Sequence, residues 1–110
     1  MINNILNTID IQYVSKEFIL VGSDFRWSDE KNKLLIKERN VCFEDIVTGI
    51  NSGKLLDIIK NPSPDRENQY CLIIDIGNYA YVVPFVRSES IFFLKTIYPS
   101  RKQTKKYLKE

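Results

Sequence analysis

Gly77-Asn78 stands between two apolar runs, Gln69 to Ile76 and Tyr79 to Val86, and constrains the fold more than any other feature. A Gly-Asn pair tolerates the left-handed backbone that a two-residue hairpin needs. The two runs are therefore expected to pair as antiparallel strands. Pro84 has no N–H to give a neighbour, which predicts an edge position or a bulge. Leu55 to Lys60 reads as a strand before the hairpin, across a loop Asn61-Pro62-Ser63-Pro64-Asp65. Arg87-Ser88-Glu89-Ser90 turns the chain into a last strand, Ile91 to Ile97, and Pro99 is expected to stop its ladder. The result is a meander of about four antiparallel strands.

Helical signals flank this meander. Ser28 is placed to cap a helix over Asp29 to Arg39, with Asp29 and Glu30 loading its first turn and Asn40 ending it. Leu34 and Leu35 are expected to face inward, with Lys31, Lys33, Lys37 and Arg39 mostly outward. Phe43 to Asn51 carries Phe43, Ile46, Val47 and Ile50 on one stripe, and Gly53 ends that second helix. Near the end of the sequence, Ser100 and Gln103 have capping-box spacing and open a short basic helix. The expected fold class is α+β: one antiparallel sheet of about four strands with helices on one face.

Residues 1–23 leave two readings open. Ile2, Ile5, Leu6 and Ile9 fall at helical spacing, while Ile11, Tyr13 and Phe18 to Val21 look like strand. Gly22-Ser23-Asp24 breaks the pattern, so 1–23 is expected to be an extension and 24–110 the domain. Deleting residues 1–22 should then leave a folded domain, unless Ile5, Leu6, Ile9 and Phe18 cover apolar sheet surface.

The 110 residues suffice for one core, and an apolar content of 44% suits a globular domain. Cys42 and Cys71 lack CxxC spacing and the chain has no histidine, so neither a metal site nor a cofactor is expected. Two isolated thiols suit a reducing cytoplasm. No apolar run is long enough to span a membrane, and no secretory leader is indicated. Without histidine, acid–base chemistry falls to Glu, Asp, Lys, Arg, Tyr or water.

Charge is unevenly placed. Six of the 16 cations but one of the 14 anions lie in residues 95–110, which leaves 10 cations and 13 anions elsewhere. A mildly acidic body thus carries a strongly basic end, the arrangement that attracts a polyanion. The same composition also suits a solvated C-terminal helix, whose dipole favours cations. Arg101, following the Tyr98-Pro99-Ser100 turn, is the first candidate to stabilise phosphoryl charge. Lys95 reads either as a phosphate clamp or as a guard of an edge strand. Tyr98 and Tyr81 read as base-stacking or proton-donating groups, or as core. Neighbouring cations are expected to lower Tyr98's pKa. Lys102 and Lys105 share one helical face and suit a backbone clamp or plain solvation. Lys31, Lys37 and Arg39 would extend the basic track from the first helix. Glu44 is a candidate base, or an acid that stabilises the dipole of its helix. Trp27 and Phe43 are expected in the core, and both cysteines are expected to be buried thiols.

Three stretches resemble a known family. Phe25-Arg26-Trp27-Ser28-Asp29-Glu30-Lys31-Asn32 through Val41-Cys42-Phe43-Glu44-Asp45 is similar to the opening of the BrnT-type toxins. The hairpin Tyr70 to Val86 stands where that family has its central strands. Leu94 through Tyr107, with Ser100-Arg101-Lys102-Gln103-Thr104-Lys105-Lys106, resembles the family's basic ending. The sequence departs from that pattern in having Ser28 after Trp27, Arg39-Asn40 at the family's His-Gly step, and mostly Lys in place of Arg near the end. The resemblance implies a RelE-like fold and a metal-independent endoribonuclease toxin that arrests growth. It also implies RNA as substrate and a ribbon-helix-helix antitoxin as partner. Under it, Arg101, Lys95 and Tyr98 would be catalytic, and Lys31, Lys37, Arg39, Lys102 and Lys105 would bind RNA. The alternative is a non-catalytic module that binds RNA or protein with the same surface.

Overall fold

The computed structural model describes residues 24–61 and 69–109. The expectations for residues 1–23 and for Pro62 to Asp65 lie outside the described residues. The central hairpin is formed by strands β3 (Tyr70–Ile76) and β4 (Tyr79–Ser88), with Ile76 opposite Tyr79. Gly77 and Asn78 have φ of 61° and 69°, the two left-handed residues of a type I′ turn. Asn78 N–H donates to Asp75 Oδ1 at 2.8 Å and pins the turn.

Strand β2 (Leu55–Lys60) pairs antiparallel with β3, and β5 (Ile91–Leu94) pairs antiparallel with β4. A short β1 (Asp24–Arg26) adds to β5 in parallel, which gives the order β1-β5-β4-β3-β2. The sheet is therefore mixed, with six strands among the described residues, and not an antiparallel sheet of about four. A parallel neighbour needs a long crossover, and here the helices and the whole meander lie between β1 and β5.

Pro84 lies on β4, a central strand, so the edge reading fails and the bulge reading holds. Phe85 pairs with Leu94, and pairing resumes where Val82 meets Tyr98 of β6 (Tyr98–Pro99). Residues 83 and 84 thus oppose residues 95, 96 and 97, one residue in excess on the outer strand. The irregularity faces the one position on β4 with no N–H to offer. Pro84 still accepts a bond through its carbonyl, from Lys95 N–H at 2.8 Å. Pro99 ends the ladder as expected, as the last residue of β6, where it pairs with Tyr81.

Helix α1 (Asp29–Arg39) starts where Ser28 Oγ accepts from Lys31 N–H at 3.2 Å and ends at Asn40, φ 57°. Its buried residues are Asn32 and Leu35, while Leu34 is 43% exposed. The inward face follows i, i+3 spacing, and Leu34 falls off it. Asn32, only 6% exposed, joins the helices: Oδ1 accepts from Phe43 N–H at 2.7 Å and Nδ2 donates to Glu44 Oε1 at 2.8 Å. Helix α2 (Phe43–Asn51) buries Phe43, Ile46, Gly49 and Ile50. A Cβ at Gly49 would meet Ile74 Cδ1 at 2.9 Å, so glycine there lets the helix approach the sheet closely. Trp27 stacks on Phe43 with centroids 5.5 Å apart, as the core reading expects.

Side chains alternate along each strand, so the sheet has two apolar faces. One carries Leu72, Ile74, Val83, Phe85, Phe92, Leu94 and Ile97 in a single cluster with the buried residues of α1 and α2. The other carries Cys71, Ile73, Ala80 and Val82, packed against Leu56, Ile59, Tyr107 and Leu108. Tyr107 ends helix α3 (Arg101–Tyr107), so α3 lies on the face opposite α1 and α2. The expectation of helices on one face is corrected by the apolar residues that β3 and β4 present on both. Among the described residues, no helix is long and apolar enough to cross a membrane.

Candidate nucleic-acid interface

Helix α3 is bound to the sheet at both ends. Ser100 N–H donates to Ala80 O at 2.9 Å, and Ser100 Oγ accepts from Gln103 N–H at 3.1 Å, the cap that its sequence position predicts. Thr104 Oγ1 accepts from Ala80 N–H at 2.8 Å and donates to Ser100 O at 2.7 Å. The first turn of the helix thus takes up both backbone groups of Ala80, where the β6 ladder ends. At the other end, Tyr107 O–H donates to Asp57 Oδ2 on β2. A bulge between Leu55 and Asp57 turns that carboxylate onto the α3 face, opposite Ile73.

Residues 104, 107 and 108 form the inward stripe. Arg101, Lys102, Lys105 and Lys106 are exposed and line a surface hollow of about 550 Å³ among the described residues. None of the four forms an ion pair among the described residues, where the ion pair present is Arg26–Asp24 at 2.6 Å. Four cations on two turns of a fixed helix repel one another unless an anion joins them. Lys106 Nζ also lies 5.2 Å from the Tyr107 ring centroid.

The structure gathers some of the expected residues and separates others. Arg101, Lys102 and Lys105 stand together on α3. Tyr98 precedes them on β6 and is 40% exposed. Its phenol pKa is raised, by burial and then by Cys71 beneath it, so the expected lowering by cations does not occur. Lys95 sits in the bulge with its Nζ 5.2 Å from the Phe93 ring. Its backbone anchors at Pro84 and that of Ser100 at Ala80, four residues or about 13 Å apart along β4. Lys31 and Lys37 lie on α1, across the sheet from α3, so they do not continue its basic surface. Arg39 is engaged within the chain: it donates from NH1 to Ile97 O at 2.7 Å and ties α1 to the start of β6. Tyr81 packs against the core, the second of its two expected roles. Glu44 accepts from Asn32, and that bond holds its carboxyl below the usual value. Cys71 is buried, with its thiol pushed up to about 11 by desolvation; Cys42 is only half-buried. Among the described residues, no group of three or more His, Cys, Asp and Glu could hold a metal ion.

Thr104, Asp57 and Phe93 escaped the sequence reading. Thr104 with Tyr107 and Leu108 had a visible signal, the i, i+3, i+4 stripe of a docked helix. Asp57 had a weaker one, a lone acid in an apolar strand. Burial and then the Asp57 carboxylate push Tyr107 up to about 12. The folded pKa is raised, so the bond contributes fully below the ordinary tyrosine value of about 10. That contribution is lost as pH climbs through the folded value. Tyr107→Phe should lower stability by about 1 kcal/mol at neutral pH. The difference from wild type should shrink as pH rises from about 10 toward 12. Paired thermal melts check this, and a difference that stays constant over that window refutes it.

These contacts define a small α+β domain with helices on both faces of a mixed open sheet and a cationic helix fixed to one of them. Compared with known proteins, the chain matches no family model, no curated protein and no solved structure.

Proposed function

We propose that this protein is the toxin of a type II toxin–antitoxin pair: a metal-independent endoribonuclease of the cytoplasm whose α3 surface contacts RNA. A ribbon-helix-helix antitoxin would neutralise it by covering that cationic end. The fold would be of the RelE-like kind, with β2 to β5 as the antiparallel meander and α1 and α2 on one face. The observation that carries the reading is α3 itself, docked by Thr104 and Tyr107, with Arg101, Lys102, Lys105 and Lys106 turned outward. The three-part resemblance over residues 24–107 supplies the reaction class. Cleavage would begin with in-line attack of the ribose 2′-oxygen on the adjacent phosphorus, its proton passing to water as the bond from phosphorus to the 5′-oxygen breaks. Arg101 would offset the charge on the non-bridging oxygens, and the leaving 5′-oxygen would take up a proton.

A second reading, a non-catalytic RNA-binding module, is favoured by one observation. Lys95 is directed at Phe93, and its anchor lies about 13 Å from that of Ser100, so three candidate catalytic groups do not converge.

Expression in a bacterial host separates the two. The toxin reading expects growth arrest and a cleaved RNA ending in a 2′,3′-cyclic phosphate; inert expression with RNA binding supports the module. Both readings expect salt sensitivity. Four phosphate contacts from α3 predict a log–log slope of binding against salt of about −3 for a single strand. A flat titration would remove nucleic acid from this surface altogether.

A further inference from the structure

Among the described residues, helix α3 covers only part of its sheet face. Phe93 pairs with Val86 and Tyr98 pairs with Val82, so register puts both aromatic rings on the α3 face. There α3 packs against the cluster of Cys71, Ile73, Ala80 and Val82. Beyond it, Val86 is 36% exposed, Phe93 38% and Tyr98 40%. An exposed strand position ordinarily carries a polar residue, and a large ring there needs a reason. Lys95, in the bulge beside β5, places Nζ 5.2 Å from the Phe93 centroid and pairs with no carboxylate among the described residues.

We infer that this open face, centred on Phe93, is a stacking platform for the bases of single-stranded RNA whose phosphates the α3 cations hold. The inference rests on the RNA-contacting reading of α3 and extends it to a second kind of contact. An apolar ring with one cation over it, Lys95, and with a cationic helix on the same sheet face suits a nucleotide, which offers a π face and a phosphate together. Positive charge at the rim is also the complement of a polyanion and keeps a purely apolar occupant away. The registers of Phe93 and Tyr98 stand opposite Val86 and Val82, about 13 Å apart along β4. The platform thus has two aromatic contact points, and Tyr98 adjoins the α3 turn.

The test measures binding of a fluorescently labelled, mixed-sequence 12-nucleotide RNA to the full chain across a salt series. Phe93→Ala should weaken binding about tenfold or more, within the range of one lost base stack. Its salt slope should match wild type, because no phosphate contact is removed. Phe93→Tyr should restore affinity, while Phe93→Leu, which keeps apolar area without a π face, should not. Lys102→Ala should instead make the slope shallower by about 0.7. Wild-type affinity in both Phe93→Ala and Phe93→Leu, with a steep slope retained, overturns the platform and leaves the α3 reading standing. A flat slope in the wild-type chain overturns both. A lowered melt with unchanged RNA affinity in Phe93→Ala overturns the platform in favour of residues 1–23 as its cover. A loss of self-association instead assigns the face to a second copy of the chain. Should Phe93→Ala fail to fold, the comparison of Phe93→Leu with Phe93→Tyr decides alone.

Discussion

Arg101→Ala should slow RNA cleavage about a hundredfold or more, the loss typical when one donor to a developing oxyanion is removed. Growth arrest should weaken with it. Arg101 is exposed at the first position of α3, following a cap made by Ser100 and not by Arg101 itself. The thermal melt should therefore barely move, which separates a chemical effect from a folding one. Arg101→Lys should recover only part of the rate, because an ammonium lacks the planar fork that meets two phosphate oxygens. The pH profile carries a second signature. The chain has no histidine, so the rate should climb from neutral toward alkaline pH and show no maximum near 6.5. Under the proposed mechanism Tyr98, whose pKa burial raises, would be the proton donor to the leaving oxygen. A substrate with 2′-deoxyribose at the scissile position should resist cleavage. Wild-type rates in Arg101→Ala would mean that the turn into α3 is not the active site.

Phe85→Ala should cost about 3–5 kcal/mol, a large share of the roughly 5–15 kcal/mol that holds a domain of this size together. Phe85 is 0% exposed and lies on a central strand. Its ring centroid is 5.2 Å from that of Phe92 and 6.3 Å from that of Tyr70. Removing it opens a cavity under α1 and α2 that the paired strands are too constrained to close. Phe93→Ala provides the contrast, since that ring is exposed on the opposite face and its loss should cost far less. Urea unfolding of the two variants measures both costs. A Phe85→Ala loss below about 1 kcal/mol would contradict the packing described here.

The sequence alone determined everything governed by near neighbours. The type I′ turn at Gly77-Asn78, the caps at Ser28 and Ser100, the end of α1 at Asn40 and the bounds of α1 and α2 depend on residues within four positions of one another. Local backbone chemistry decides such features, and a string of residues carries it. The clustering of Arg101, Lys102 and Lys105 was legible for the same reason, because helical spacing alone puts them on one surface. Where charge meets charge across the fold was not legible. Lys31 and Lys37 count toward the same net charge as α3, yet the sheet stands between them and it. Arg39 looked solvated until the Ile97 carbonyl, 58 residues away, gave it a partner. The tertiary structure also decided that β1 runs parallel to β5, that Leu34 points outward, and that α3 lies opposite α1 and α2. The first depends on β5 leaving an edge for a distant strand to pair with, and the other two on which apolar face a distant segment covers. The near-continuous apolar runs of β3 and β4 put apolar residues on both faces, which the expectation of helices on one face did not take into account. The open ground around Phe93 is what remained once α3 had covered its part.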